Sequence, residues 1–287
     1  MEIADIQITG LASKDFEWKP ITIVPVCDTH LGSGSTAEAE FRKYIERGIK
    51  EKAWFIGVGD YLDLSRWSQR AKWSGANLES SMADILEDKA TQLENAFLHL
   101  VRGTEGKWLG MIEGNHWWQH RDGTTSDTRI AKALHAPWLG SCGFVVLTIR
   151  RTAEGSRGSH KYVIWLHHGK GAGIKLSAPM NTLENLSGSF QADLFLTAHQ
   201  HKGVVAQKPI LFPGRQKPFK VQARTTRLVS LGAWQYGYQQ GHMEGDVLRG
   251  NYVEQKGMIP ASIGGAFIRI SPKHGELEDR VETTVET

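Results

Sequence analysis

Apolar and polar positions along the chain fall into short runs with two different periods. "PITIVPVCD", Pro20 to Asp28, is a β-branched apolar run that reads as a buried strand ending in an acid. After "THLGSGS", the stretch "TAEAEFRKYIERGIKEK" spaces its apolar residues as an amphipathic helix, with Thr36 as its expected N-cap. "AWFIGVGD" is a second buried strand that ends in an acid. A second helix is expected over about residues 77–102, and "KWLGMIEGNH" is a third strand, ending in Asn and His. This β-α-β-α-β order predicts an α/β fold whose strand carboxyl ends gather on one edge of a sheet.

The pattern then changes. "CGFVVLTIRR" and "HKYVIWLHHG" are expected to pair as a hairpin across "TAEGSRGS". "NTLENLSGSF" is a short helix candidate, and "ADLFLTAHQH" is a buried strand ending in two histidines. From about residue 203 onward, alternating segments such as "GVVAQKPILF" and "GAFIRISP" predict antiparallel strands. The last dozen residues, "ELEDRVETTVET", are charged and expected to fray. No linker divides the chain, so residues 1–287 are expected to form one domain.

Composition changes this picture little. The 287 residues are 40% hydrophobic and 23% charged, ordinary for a globular chain able to bury a substantial core. A net charge of +3 is too mild to argue nucleic-acid binding by itself. No apolar stretch is long enough to span a bilayer, and "MEIADIQITG" lacks the basic, apolar pattern of a leader. Cys27 and Cys142 are far apart in apolar runs and are expected to be buried free thiols, consistent with the cytoplasm.

The candidate chemistry sits at the strand ends. Five apolar runs deliver Asp28 and His30, Asp60 and Asp63, Asn115 and His116, His167 and His168, and His199 and His201. One acid or histidine after a strand is ordinary capping; five such ends in succession are hard to assign to chance. Carboxylate, imidazole and amide oxygen together suit first-row divalent ions such as manganese, iron, zinc, cobalt or nickel, and manganese is the expected occupant. So large a donor set exceeds the needs of one tetrahedral ion and fits two ions about 3.5–4 Å apart that share a carboxylate. His116 and His120 have the spacing of a zinc-protease helix, but that motif needs Glu directly after the first His, and Trp117 stands there.

In "DTH", "GDYLD", "GNH", "HHG" and "AHQH", from Asp28 to His201, the chain resembles the calcineurin-like metallophosphoesterases, whose five blocks have this order and rough spacing. The resemblance implies a four-layer β-sandwich of mixed sheets flanked by helices. It implies that Asp28, His30 and His201 bind one metal, that Asn115, His168 and His199 bind a second, and that Asp60 bridges them. His116 would bind no metal but face the substrate as the catalytic acid. His168 is preferred to His167 as the ligand because it precedes Gly169. Asp63 is expected to support the ligands or cap a helix. The family's usual acid after "GNH" is replaced by Trp117, which removes an expected orienting partner of His116, and its glycine before the first His of "AHQH" is Ala198. The tail "LGAWQYGYQQGHMEGDVLRGNYVEQKGMIPASIGG" looks like the C-terminal region of phosphoesterases carried by phages and prophages.

The expected activity is hydrolysis of phosphodiester bonds, in nucleic acid or a nucleotide, by a hydroxide bridging two metals. A phosphomonoesterase or small-pyrophosphate hydrolase is the alternative from the same chemistry, and a non-catalytic scaffold is disfavoured by the complete ligand set. Trp117 and Trp118 are either packing or an apolar wall beside a base. "RWSQRAKW" places Arg66, Arg70 and Lys72 either on a solvated helix face or on the rim of a substrate groove. "HHGKGAGIK" lacks phosphate-loop spacing, leaving Lys170 and Lys175 as candidate phosphate contacts in a loop beside the site. His120 is expected on the surface or behind the ligands.

Overall fold

The computed structural model describes residues 10–64, 80–151, 158–171, 173, 175–213, 220–241, 243–244, 246–248, 250–255, 257, 259–260, 263–274 and 280–287. In chain order the elements are β1 (Leu11–Glu17), β2 (Ile21–Val26), α1 (Glu38–Lys50), β3 (Trp54–Gly57), α2 (Ser80–Leu100), β4 (Trp108–Met111), α3 (Ser126–Ala133), β5 (Cys142–Arg150) and β6 (Ser159–His167). They continue with α4 (Ser177–Ser189), β7 (Leu194–Thr197), β8 (Val204–Pro213), β9 (Val221–Ser230), β10 (Met243–Glu244), β11 (Val247–Leu248), α5 (Tyr252–Gln255), β12 (Phe267–Lys273) and β13 (Arg280–Glu286).

Two mixed sheets result, ordered β1-β5-β6-β7-β9-β8 and β13-β12-β2-β3-β4, besides the small β10–β11 pair. Strands β2, β3 and β4 run parallel, as do β6, β7 and β9. β5 and β6 pair antiparallel from Cys142↔His167 to Arg150↔Ser159, the expected hairpin.

The inner faces of the two sheets close on one apolar core. Ile23, Ile56 and Ile112 on one side meet Val145, Ile164, Leu196 and Val229 on the other, all fully buried. Each such side chain contributes roughly 1.5–3 kcal/mol of burial. Val24, Phe55 and Trp108 face outward from the second sheet and pack under Phe41 and Ile45 of α1, Phe97 of α2 and Ile130 of α3. On the outer face of the first sheet Trp165, Phe195 and Leu228 pack under Leu183 of α4, and Trp165 stacks on Phe190 with centroids 4.1 Å apart. Helices, sheet, sheet and helix therefore form four layers.

Several expectations change. Residues 276–279 of the expected frayed end lie outside the described residues; from Arg280 on, the charged C-terminus does not fray, because β13 pairs with β12 along its whole length. Its alternate residues Val281 and Val285 pack on the inter-sheet core, and Thr283 is buried with its hydroxyl 2.8 Å from that of Tyr162. Glu286 at its end takes a two-pronged contact from Arg47, at 2.7 and 2.9 Å. Charge hid a strand whose inward positions are apolar or small. β1 was not expected either: only Ala12 is buried, and Phe16 is half-buried with its ring 5.3 Å from that of Trp54. Thr36 does not cap α1. The cap residue is Ala37, whose N–H reaches the Trp234 carbonyl at 2.7 Å, while the Thr36 hydroxyl is 2.7 Å from the His30 carbonyl. Cys27 is a buried free thiol as expected, but Cys142 is only half-buried.

Tyr44 of α1 ties two strands of the second sheet together. Its buried hydroxyl lies 2.7 Å from the Pro25 carbonyl and 2.8 Å from that of Ala266, and accepts the Ala266 N–H at 3.2 Å. Tyr44→Phe leaves these buried groups without that partner, so denaturant unfolding is expected to show a loss of about 1–3 kcal/mol. A change under about 0.5 kcal/mol would show that the hydroxyl does not hold β2 to β12.

Candidate metal centre

The chain leaves its strands through left-handed backbone. Asp28, His30, Asp60, His199 and His201 have φ of 43°, 44°, 54°, 70° and 53°, a region that non-glycine residues enter at a cost of about 1–3 kcal/mol each. Hydrogen bonds between neighbouring strand exits hold them there. Asp28 N–H donates to Gly59 O at 3.0 Å, His30 N–H to Asp60 O at 3.1 Å, and Trp234 N–H to Asp28 O at 2.9 Å. Two glycines admit the close approach. A Cβ on Gly59, itself at φ 92°, would lie 2.7 Å from His168 Nδ1, and one on Gly114 would overlap the Asp60 carboxylate.

Each buried carboxylate divides its two oxygens. Asp60 Oδ1 accepts the N–H groups of Asn115 at 2.5 Å and His116 at 3.0 Å, while Oδ2 lies 3.0 Å from His168 Nε2 and 3.7 Å from His30 Nε2. Asp28 Oδ2 accepts His199 N–H at 2.9 Å, and its Oδ1 lies 3.4 Å from His201 Nε2 and 3.6 Å from His30 Nε2. Burial works against both charges, yet His201 and His30 hold Asp28, and His168 and His30 hold Asp60, well below the usual carboxylate range.

His168 has a fixed tautomer. Its Nδ1 lies 2.7 Å from the Val58 carbonyl, which can only accept, so Nδ1 carries a proton. Its Nε2 then faces Asp60 Oδ2 and Asn115 Oδ1, the latter at 3.1 Å. Burial disfavours a charged ring, but Asp60 and Asp28 keep the second proton on it up to about 9. In the same way burial opposes, and Asp28, Asp63 and Asp60 favour, a proton on His30, up to about 10. The arrangement calls for positive charge at both nitrogens.

The donor chemistry fits divalent cations. Three groups have ligand atoms within 4.8 Å of one another: Asp28, His30 and His201; His30, Asp60 and His116; and Asp60, His168 and His199. His30 Nε2 and His201 Nε2 stand 3.2 Å apart beside Asp28 Oδ1, a buried oxygen with no hydrogen-bond partner. One cation among those three atoms would satisfy all of them.

His116 keeps a carboxylate partner despite Trp117. Asp63 Oδ1 lies 2.6 Å from its Nδ1, and the same oxygen is 3.8 Å from His30 Nδ1. Burial opposes the charge on Asp63, but His116 and His30 hold it low. The expected loss of an orienting partner is therefore corrected: the partner comes from the "GDYLD" block. His167 accepts the Gly169 N–H on Nδ1 at 2.8 Å, a local turn contact. His120 is buried, not exposed, with Nε2 2.6 Å from Glu94 and Nδ1 3.2 Å from Glu87, so it ties its loop to α2.

Of the candidate substrate contacts, Trp117 is half-buried next to His116, and Lys170 and Lys175 are exposed in the loop after His168. Arg66, Arg70 and Lys72 lie outside the described residues. Three residues of the site's surroundings escaped the sequence reading. Trp234, from the C-terminal region, ties the Asp28 carbonyl through its backbone N–H and buries its ring against Phe41 and Tyr44. Lys202 is buried directly after His201 and donates to the Gly173 carbonyl. Asp127, in the first turn of α3, accepts the Gly114 N–H at 3.1 Å and so holds the "GNH" turn. The only sequence signal for it is "TTSDTR", a helix start with Thr125 as cap.

No family model matches this sequence, and no curated protein matches it either. Solved structures do. Vacuolar protein sorting 29 from Cryptosporidium parvum is 11% identical with a TM-score of 0.33, covering 94% of this chain and 99% of that one. A predicted phosphoesterase from Streptococcus pneumoniae TIGR4 is 10% identical with a TM-score of 0.32, covering 92% of this chain and 98% of its own. A Vps29 single mutant from Entamoeba histolytica is 11% identical with a TM-score of 0.36, covering 93% of this chain and 100% of that one. These values are too low to transfer a ligand, partner or reaction to any residue of this chain.

Asp127 titrates far from its ordinary range. Burial first, and the Asp60 charge in addition, push it up to about 7 against the opposing Gly114 N–H. The folded protein thus holds this proton more tightly than the unfolded chain does. The stabilisation is complete below about pH 4 and is lost as pH rises through about 7. In metal-free protein, wild type is expected to lose up to about 4 kcal/mol over that window relative to Asp127→Asn, which does not titrate. Parallel stability–pH curves for the two proteins would show that Asp127 is ionised throughout.

Proposed function

We propose that the protein is a dinuclear-metal phosphoesterase that cleaves phosphodiester bonds in nucleic acid or a nucleotide. The observation that supports this most is the pair of ligand groups, Asp28–His30–His201 and Asp60–His168–His199, linked through the contact of Asp60 with His30. In this reading the first group holds one ion, the second holds another with Asn115, and Asp60 serves both. Manganese is the favoured metal, with iron, zinc, cobalt or nickel compatible with the same donors. Two ions so held supply Lewis-acid polarisation of the phosphoryl oxygens and a water acidic enough to attack near neutral pH.

The chain's own residues do the rest. Asp28 and Asp60 each use one oxygen to fix the loops that carry His199, Asn115 and His116, and leave the other among the imidazoles, where it would be available to a metal. The Val58 carbonyl holds the His168 Nδ1 proton, so that Nε2, beside Asp60 and Asn115, would be free to hold a metal. Asp63 holds the proton on His116 Nδ1, which leaves Nε2 to give its proton to the departing oxygen. Trp117 and Trp118 follow His116 in the chain and are both half-buried, which supports a substrate with a base or other apolar group beside the phosphorus. The buried free thiol of Cys27 supports a reducing compartment such as the cytoplasm, and no helix among the described residues is long and apolar enough to cross a membrane.

A screen of bis(p-nitrophenyl) phosphate, p-nitrophenyl phosphate and cyclic nucleotides on metal-loaded protein tests the class. Faster monoester than diester turnover would replace the phosphodiesterase reading with a monoesterase. In that assay Asp60→Asn is expected to lose bound metal, by elemental analysis, together with turnover; normal metal content at a near-normal rate would remove Asp60 from the centre. His116→Asn is expected to keep its metal and lose roughly 10²–10⁴ in rate, more on poor leaving groups than on p-nitrophenolate. Equal loss on both would make His116 a charge stabiliser and not the acid.

A further inference from the structure

The β8–β9 hairpin leaves the body of the protein. Its strands pair over their full length, from Val204↔Ser230 to Pro213↔Val221, but β7 covers only Arg227–Ser230 of β9. Beyond that point the ribbon has no sheet neighbour on its β9 side among the described residues. Residues 209–213 and 220–225 are exposed apart from the half-buried Gln222, so both faces of its outer half meet solvent. Leu211 is 71% and Val221 76% exposed, with Ile210 and Phe212 exposed beside them. A ribbon that buries so little is not there to stabilise the core.

Its charge is one-sided. From Leu194 to Met243 the sequence contains no Asp or Glu and seven Lys or Arg: Lys202, Lys208, Arg215, Lys217, Lys220, Arg224 and Arg227. The whole chain carries only +3, so the rest of the molecule is net acidic. Asp193 Oδ1 lies 3.6 Å from Arg224 Nε, and both groups remain in reach of solvent. The root of the ribbon is continuous with the metal centre, because Val204 begins β8 three residues after His201. Ten residues of strand extend about 30 Å, the length of roughly nine nucleotides at about 3.4 Å each.

We infer that the β8–β9 ribbon is a nucleic-acid-binding arm whose cations track a phosphate backbone toward the metal centre. Two-stranded ribbons enter nucleic-acid grooves with cations on the backbone and apolar side chains against the bases, and Leu211 and Phe212 among lysines and arginines supply that combination. Edge-to-edge pairing with a second copy is opposed by Pro209 and Pro213, which remove two donors from the outermost strand. The choice of nucleic acid over an acidic protein rests on the phosphodiesterase reading of the adjoining centre.

The test is fluorescence anisotropy of a labelled 20-nucleotide single strand and a 20-base-pair duplex, in EDTA, over a series of KCl concentrations. Wild type is expected to bind with a steep salt dependence. In K208Q/K220Q/R224Q the slope of log K against log salt is expected to fall by about 0.7 to 0.9 per lost phosphate contact, with an unchanged circular dichroism melt. If the triple variant does not fold, K220Q alone, at an exposed position, is expected to show the single-contact change. The inference is overturned if wild type shows no salt-dependent binding, if its slope survives the substitutions, or if polyglutamate of equal length binds as tightly as DNA. The metal-free format keeps the two readings apart: wild type that hydrolyses bis(p-nitrophenyl) phosphate but shows no salt-dependent binding in EDTA sinks only the arm, and wild type that binds but hydrolyses nothing when metal-loaded sinks only the hydrolase.

Discussion

Two buried carboxylates, Asp28 and Asp60, set the geometry of the whole carboxyl edge of the sandwich. An ionised group without solvent must be met by donors or by opposite charge. Here one oxygen of each is met by backbone N–H groups from another strand exit, and the other by imidazoles. The first kind of contact joins loops that are far apart in sequence: Asp60 fixes Asn115 and His116, and Asp28 fixes His199. The second kind leaves a focus of negative potential that only protons or cations can answer. Left-handed backbone at five of these residues is the geometric consequence, since a strand that simply continued would carry its side chains past that focus.

Most of this was legible because apolar runs ending in Asp, His or Asn mark buried strands with chemistry at their ends. β2, β3, β4 and β7 are each nearly all buried, and their periodicity and their ligands point the same way. The order of layers also followed, because α1 carries a clear apolar stripe of Phe41, Tyr44, Ile45 and Gly48. What was illegible was decided by distant partners. β13 reads as a charged tail until β12 is placed beside it, and β1 has few inward residues until β5 supplies its register. Thr36 looks like a cap, but the carbonyls of His30 and Ser33 compete for its hydroxyl and win by proximity.

The partner of His116 shows the same limit. A carboxylate directly after the histidine is readable in sequence, and Trp117 made it look lost. Space provides Asp63 from another strand exit, close enough to hold the ring and shared with His30. Coupling one carboxylate to both histidines links the orientation of the His116 imidazole to that of His30. Asp127 works one layer further out: it grips Gly114 N–H, and Gly114 is the residue whose missing side chain lets Asp60 approach. Neither link has a spacing rule that a sequence could display.

Charge over the rest of the molecule completes the same logic at longer range. The centre concentrates buried carboxylates, and the sequence outside residues 194–243 is net acidic, so its net charge opposes the approach of an anion through solvent. The cations of the β8–β9 ribbon change the sign along one path, and that path joins the body next to His201. A small anion gains little from a path of that length at physiological ionic strength, where screening sets in within about 8 Å. A polymer, which touches many of the cations at once, gains from every one. If the proposed arm and phosphodiesterase centre act together, length of substrate, and not only its phosphate chemistry, is what this distribution of charge would discriminate.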